Sequence, residues 1–76
     1  MVHAFIMVKT AAGKSEELLD SIRSLEAVTE AHIVAGNYDI ITEVDADEVY
    51  DVLHTVTGEM QKFGGVADTK TYISLQ

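Results

Sequence analysis

Seventy-six residues with thirteen acidic and five basic side chains, a net charge of −8, argue against a chain that grips a phosphate backbone, because its own field repels one. The chain has no cysteine, which excludes disulfides, thiolate nucleophiles and zinc–thiolate sites. Its 47% apolar content without proline describes one folded domain, yet no run approaches the roughly 20 apolar residues of a membrane helix.

MVHAFIMVKT lacks the basic flank and small-residue cleavage site of a signal peptide, so a cytoplasmic protein is expected. The acid excess has two readings: solubility, and a high-salt source whose ions screen the repulsion. A domain this short buries only about 60% of its unfolded surface and gains from self-association.

Residues 2–9, VHAFIMVK, are apolar on both alternating faces: Val2, Ala4, Ile6 and Val8 on one, Phe5 and Met7 on the other. That pattern predicts a central strand covered on both sides. TAAGK is a loop. Ser15 is expected to cap a helix, with Glu16 and Glu17 in its electropositive first turn and Leu18, Leu19, Ile22 and Leu25 at helical spacing. Residues 28–35, VTEAHIVA, predict a second strand and residues 38–44, YDIITEV, a third, with Gly36-Asn37 as the turn between them. Asp45 and Glu48 stand at N-cap and N3 spacing for a capping box. Val49, Val52, Leu53, Val56, Met60 and Phe63 draw an apolar stripe, the clearest helix in the chain, stopped by Gly64-Gly65. Residues 66–75, VADTKTYISL, predict the last strand.

The order β-α-β-β-α-β predicts a single domain over residues 1–76: an α+β ferredoxin-like sandwich, both helices on one face of a four-stranded antiparallel sheet. Right-handed crossovers set the first and third strands in the centre. The helices cover one sheet face only. The other still carries apolar residues, so a homodimer is expected, sheet against sheet in the manner of a dimeric α/β barrel.

Little in the chain suggests catalysis. His3, His32 and His54 fall on separate elements, without metal-ligand spacing, and are expected to be isolated. No serine is placed with a readable base, and Gly64-Gly65 follows a helix instead of opening one, so it forms no phosphate cradle. No cofactor, metal or enzymatic activity is expected.

Gly36-Asn37-Tyr38-Asp39 is the stretch that asks for more, since a turn needs only its first two residues. Gly36 would permit a backbone that other residues resist and leave room for a close approach. Tyr38 offers a flat face with a hydroxyl. Asp39 alternates to the opposite side. A carboxylate beside exposed loop amides suits the two ends of an amino acid. The competing reading is structural, with Tyr38 packed at a sheet end and Asp39 satisfying the turn's own amides.

The whole chain resembles the effector-binding (RAM) domain of the Lrp/AsnC family of feast/famine regulators. MVHAFIMVKT is similar to that domain's first strand, VAGNYDIITEV to its G-x-[YF]-D signature, and GGVADTKTYISL to its G-V-x-x-[ST]-x-[ST] final strand. The chain departs from full-length members in having no helix-turn-helix before the first strand, which argues against direct nucleic-acid binding. The resemblance implies dimers that join as a ring of four dimers, an octamer, with amino-acid effectors in clefts at subunit boundaries. By position it implies that Gly36, Tyr38 and Asp39 line the cleft. Asp39 would take the ligand's amino group and the amides near Gly36 its carboxylate. Thr71, Tyr72, Ile73 and Ser74 would contribute from the last strand. The implied function is a stand-alone amino-acid-binding regulatory module that alters full-length relatives by co-assembly. Two other functions fit the same fold. One is an interaction domain without a ligand. The other is a small dimeric α/β-barrel enzyme such as a monooxygenase, with a deep pocket between sheet and helices and a role for His3 or His32. An ACT-like sensor would carry its glycine after the first strand, where Gly13 stands, but the GNYD frame fits better.

Overall fold

The computed structural model describes residues 1–76. Its elements are β1 (Val2–Thr10), α1 (Ser15–Arg23), β2 (Val28–Ile33), β3 (Ile40–Ala46), α2 (Val49–His54) and β4 (Val66–Ile73). The sheet order is β2-β3-β1-β4, and every neighbouring pair is antiparallel. β1, apolar on both faces, and β3 therefore lie in the centre; the helices cover one face of them, and the other, which carries Phe5 and Met7, is open rather than covered as expected.

Strand alternation builds the core. Ala4, Ile6 and Val8 of β1 and Ile40 and Val44 of β3 point to one side. They are buried there against Leu18 and Ile22 of α1 and against Val52, Val56 and Met60. Each large apolar side chain removed from water in this way contributes roughly 1.5–3 kcal/mol. Thr42, on the same side of β3, is fully buried and its hydroxyl has no hydrogen-bond partner.

Several boundaries differ from expectation, each for a local reason. Lys14, not Ser15, sits at the N-cap of α1, and Ser15 is the first helical residue, its hydroxyl 2.8 Å from that of Thr10. Asp45 does not cap α2. It belongs to β3, opposite His3 in the β1–β3 register, and that ring holds its carboxylate. The capping box is formed one turn later by Glu48 and Asp51, with the Glu48 amide donating to Asp51 Oδ2 at 3.1 Å. The long helix expected over residues 49–63 is regular only to His54. It continues as a π turn (Thr55–Glu59) and a 3-10 turn (Met60–Lys62). Thr55 and Thr57 each donate a hydroxyl proton to the carbonyl four residues back, and Gly58 adds little helix preference. Val52, Val56 and Met60 stay buried, but Val49 and Leu53 of the same expected stripe are about half exposed. Gly65 ends this segment with φ +98°, a backbone that suits glycine.

Candidate functional site

The β2–β3 connection is shorter in strand and longer in loop than expected. The amide of Val34 donates to the carbonyl of Asp39 at 2.8 Å, so Ala35, Gly36, Asn37 and Tyr38 form the loop and β3 begins at Ile40. The loop is fastened from both sides of the sheet. On the helix side, Asp39 Oδ2 accepts the Thr10 amide at 2.8 Å and the Thr10 hydroxyl at 3.1 Å. Because that hydroxyl spends its proton on Asp39, Ser15 Oγ donates to Thr10 Oγ1, and the first residue of α1 joins the chain. On the open side, Lys9 Nζ donates to the Asn37 carbonyl at 3.2 Å. The Thr10 amide holds the Asp39 carboxyl below its ordinary range, against an opposing push from partial burial; the Thr10 hydroxyl and the Lys9 charge add to the lowering.

Beside this loop the open sheet face hollows into a cleft of about 370 Å³. Met7, Ile41 and Tyr72 form its floor. They are brought together by register, not by sequence. Met7 faces Ile41 across β1–β3, and Tyr72 faces Phe5 on the other side of β1. Val34, Ala35 and Tyr38 wall the cleft, and Gly36-Asn37 lie at its mouth. A mainly apolar hollow of this size with a few polar groups is the usual form of a small-molecule site. A larger hollow of about 520 Å³ lies between the end of β3 and α2, but Glu26, Asp45, Asp47, Asp51 and Glu59 line it. Their mutual repulsion suits solvent better than a bound metabolite.

The residues expected at the site are divided by the structure. Gly36, Tyr38 and Tyr72 line the cleft. Asp39 lies outside its lining, and Thr10 occupies one carboxylate oxygen. Thr71 and Ile73 alternate to the helix side, opposite Ile6 and Ala4. Ser74 lies past the end of β4, its amide bonded to the His3 carbonyl at 2.8 Å. Gly36 does not have the backbone expected of it: its φ is not positive, and a Cβ added there would meet nothing within 4 Å. What it leaves is open space at the mouth. Met7 and Ile41 were not foreseen at the site; Met7's place on the second face of β1 is visible in the alternation, but its pairing with Ile41 is not.

The histidines are not all isolated. His3 Nδ1 lies 2.5 Å from Asp45 Oδ1 and its Nε2 3.1 Å from Glu43 Oε1. A ring that donates from both nitrogens is an imidazolium. The Asp45 hydrogen bond raises the His3 pKa most; desolvation opposes it, and the Glu43 bond and both carboxylate charges add to the rise. His32 pairs with Glu30 at 3.1 Å, and the His54 ring covers Gly58.

Comparison with known proteins places this geometry. A family model described as the Lrp/AsnC ligand binding domain matches residues 3–76. An uncharacterized HTH-type transcriptional regulator of Pyrococcus furiosus is 30% identical over 74 residues, 93% of this chain and 49% of that protein. The chain thus spans about half the length of this curated relative. The crystal structure of a hypothetical protein from Pyrococcus horikoshii is similar with a TM-score of 0.91 and 36% identity, over 100% of this chain and 92% of that one. A transcriptional regulator of Neisseria meningitidis, solved as an L-Met complex, shares the fold with a TM-score of 0.88 and 22% identity, over 99% of this chain and 50% of that one.

Proposed function

The chain belongs to the Lrp/AsnC ligand-binding domain family, and from that membership we infer that it is a regulatory module that binds an amino acid in the cleft beside Gly36–Tyr38 and acts through its assembly with other subunits. The observation that carries this reading is the cleft itself, an apolar floor set against a loop fastened by Thr10 and Lys9. The Neisseria relative's L-Met complex supports an amino acid as the effector class.

Assembly follows from the open sheet face. Phe5 is 37% exposed and Tyr72 57%, and they are paired across β1–β4 beside Met7 and Ile41. A second copy laid sheet to sheet would cover this patch and roof the cleft. Dimers would then join further, as a ring of four. The HTH-type regulator from Pyrococcus furiosus supports an effect on transcription, exerted through assembly with full-length relatives. Any change in the number of DNA-binding arms per assembly would change avidity for multi-site operators.

One observation favours a second reading, an interaction domain without a ligand: the carboxylate of GNYD is already engaged by Thr10. The enzyme reading needs a deep pocket between sheet and helices, and Ile6, Ile22, Ile40, Val52 and Met60 fill that space.

A thermal-shift series with the twenty amino acids, at low and at multimolar salt, separates the readings. A ligand at about 100 times its dissociation constant should add roughly 2.7 kcal/mol of stability. A shift confined to a few amino acids and lost in Tyr38→Ala supports the sensor. No shift at any salt where the protein is folded favours the interaction domain.

A further inference from the structure

The charges around the cleft do not suit both ends of an amino acid equally. No carboxylate is among the cleft's lining residues. Asp39 lies outside, with Oδ2 shared by both donors of Thr10. Glu43 and Asp45 lie farther along β3 and hold His3, and Glu30 holds His32. Two cations adjoin the lining residues. Lys9 reaches the mouth through its bond to the Asn37 carbonyl. Lys70 faces Met7, a floor residue, across the β1–β4 register. Asp68 is opposite Lys9 in that register, and the Lys9 charge also acts on Asp39, but neither carboxylate is among the lining residues.

An α-ammonium entering here would lose water to an apolar floor whose lining offers it no carboxylate. A carboxylate would find Lys9 or Lys70 within the same neighbourhood, and a charge-assisted bond to either offsets its dehydration. An alkyl, thioether or aromatic side chain would lie on Met7, Ile41 and Tyr72. A charged side chain would lose its hydration on that apolar floor.

We propose that the cleft reads an apolar side chain and a carboxylate and leaves the amino group unread, so that it takes apolar 2-oxo acids as well as the matching amino acids. The keto oxygen that replaces the ammonium is a hydrogen-bond acceptor, and the Tyr38 and Tyr72 hydroxyls and the loop amides are donors to it. The inference rests on the cleft being the effector site, and it names the part of the effector that the site recognises.

The test is calorimetric titration of the intact chain with L-leucine, 4-methyl-2-oxopentanoate, 3-methylbutylamine, L-lysine and L-aspartate. The oxo acid should bind within about threefold of L-leucine, and the amine, L-lysine and L-aspartate about tenfold or more weaker, the usual worth of one bond to a charged group. Lys9→Gln should weaken leucine and its oxo acid alike, and Tyr72→Ala, at an exposed strand position, should weaken both while leaving the fold intact. Leucine binding about tenfold or more tighter than its oxo acid would overturn the inference and leave the amino-acid sensor standing. Preferential binding of L-lysine, L-aspartate or the amine would also overturn it. Heat from none of the five, or binding unchanged in Tyr72→Ala, would overturn the cleft as the effector site and the inference with it.

Discussion

Thr10 gives both of its donors, amide and hydroxyl, to a single oxygen of Asp39, at 2.8 and 3.1 Å. The two residues are 29 apart in sequence, and this contact ties the loop of the candidate site to the end of a central strand. Removing the carboxylate leaves the Thr10 amide without its partner. Asp39→Ala is therefore expected to lower the unfolding midpoint even without any ligand. The same contact is sensitive to acid. The folded-state pKa of Asp39 is lowered from 3.8, so its contribution is complete above that value and is lost as the pH falls through the lower folded pKa. Acid titration of stability should show a step in the wild type that Asp39→Asn lacks, and equal profiles would contradict the clasp.

His3 acts in the opposite direction. Its folded-state pKa is raised from 6.5 by Asp45 and Glu43, so the stabilisation is present in full below 6.5 and fades as the pH rises through the higher folded value. The thermal midpoint of the wild type should fall across that window, and that of His3→Gln should stay flatter. NMR titration of the His3 ring protons gives the folded pKa directly; a value at or below 6.5 would contradict the double ion pair.

Thr42 points the other way, to a mutation that helps. Its hydroxyl is fully buried and unpartnered among apolar neighbours. Thr42→Val keeps the shape and removes the unpaired group, and should raise stability by about 1 kcal/mol in denaturant unfolding. A loss of stability would mean that the hydroxyl has a partner, such as a buried water.

Two glycines should respond differently to alanine. At Gly65, φ is +98° and a Cβ would lie 2.9 Å from Lys14 Cβ, so Gly65→Ala should cost about 1–2 kcal/mol or more. At Gly36 the φ is ordinary and the space is open, so Gly36→Ala should leave stability nearly unchanged. Any effect of Gly36→Ala should appear instead in ligand affinity, since the methyl group enters the mouth of the cleft.

Self-association is tested at Phe5, at the middle of the open face. Phe5→Asp places a charge among Tyr72, Met7 and Ile41 and should give a monomer in light scattering at micromolar concentration, where the wild type is expected to form the proposed dimer. A wild type that is monomeric at the same concentration would remove the sheet-to-sheet arrangement.

The sequence by itself determined the element order, the central position of β1 and β3, and the family. Each depends on local periodicity or on a short motif: the two apolar faces of residues 2–9, the GNYD turn, and the Gly64-Gly65 stop. Tertiary structure alone decided what each residue of those elements does. Asp39 left the cleft because Thr10 meets it across the sheet. Asp45 became a strand residue because His3 lies opposite. Thr71 and Ile73 turned inward, and Tyr72 outward, because β4 pairs with β1 in one register and a shift of one residue would reverse all three. The π turn arose where two threonine hydroxyls compete for helix carbonyls above an already packed core. Spacing along a chain records which residues share a face. Which residues of distant strands meet, and what charge a site keeps once its acids are engaged elsewhere, is set by contacts dozens of residues apart.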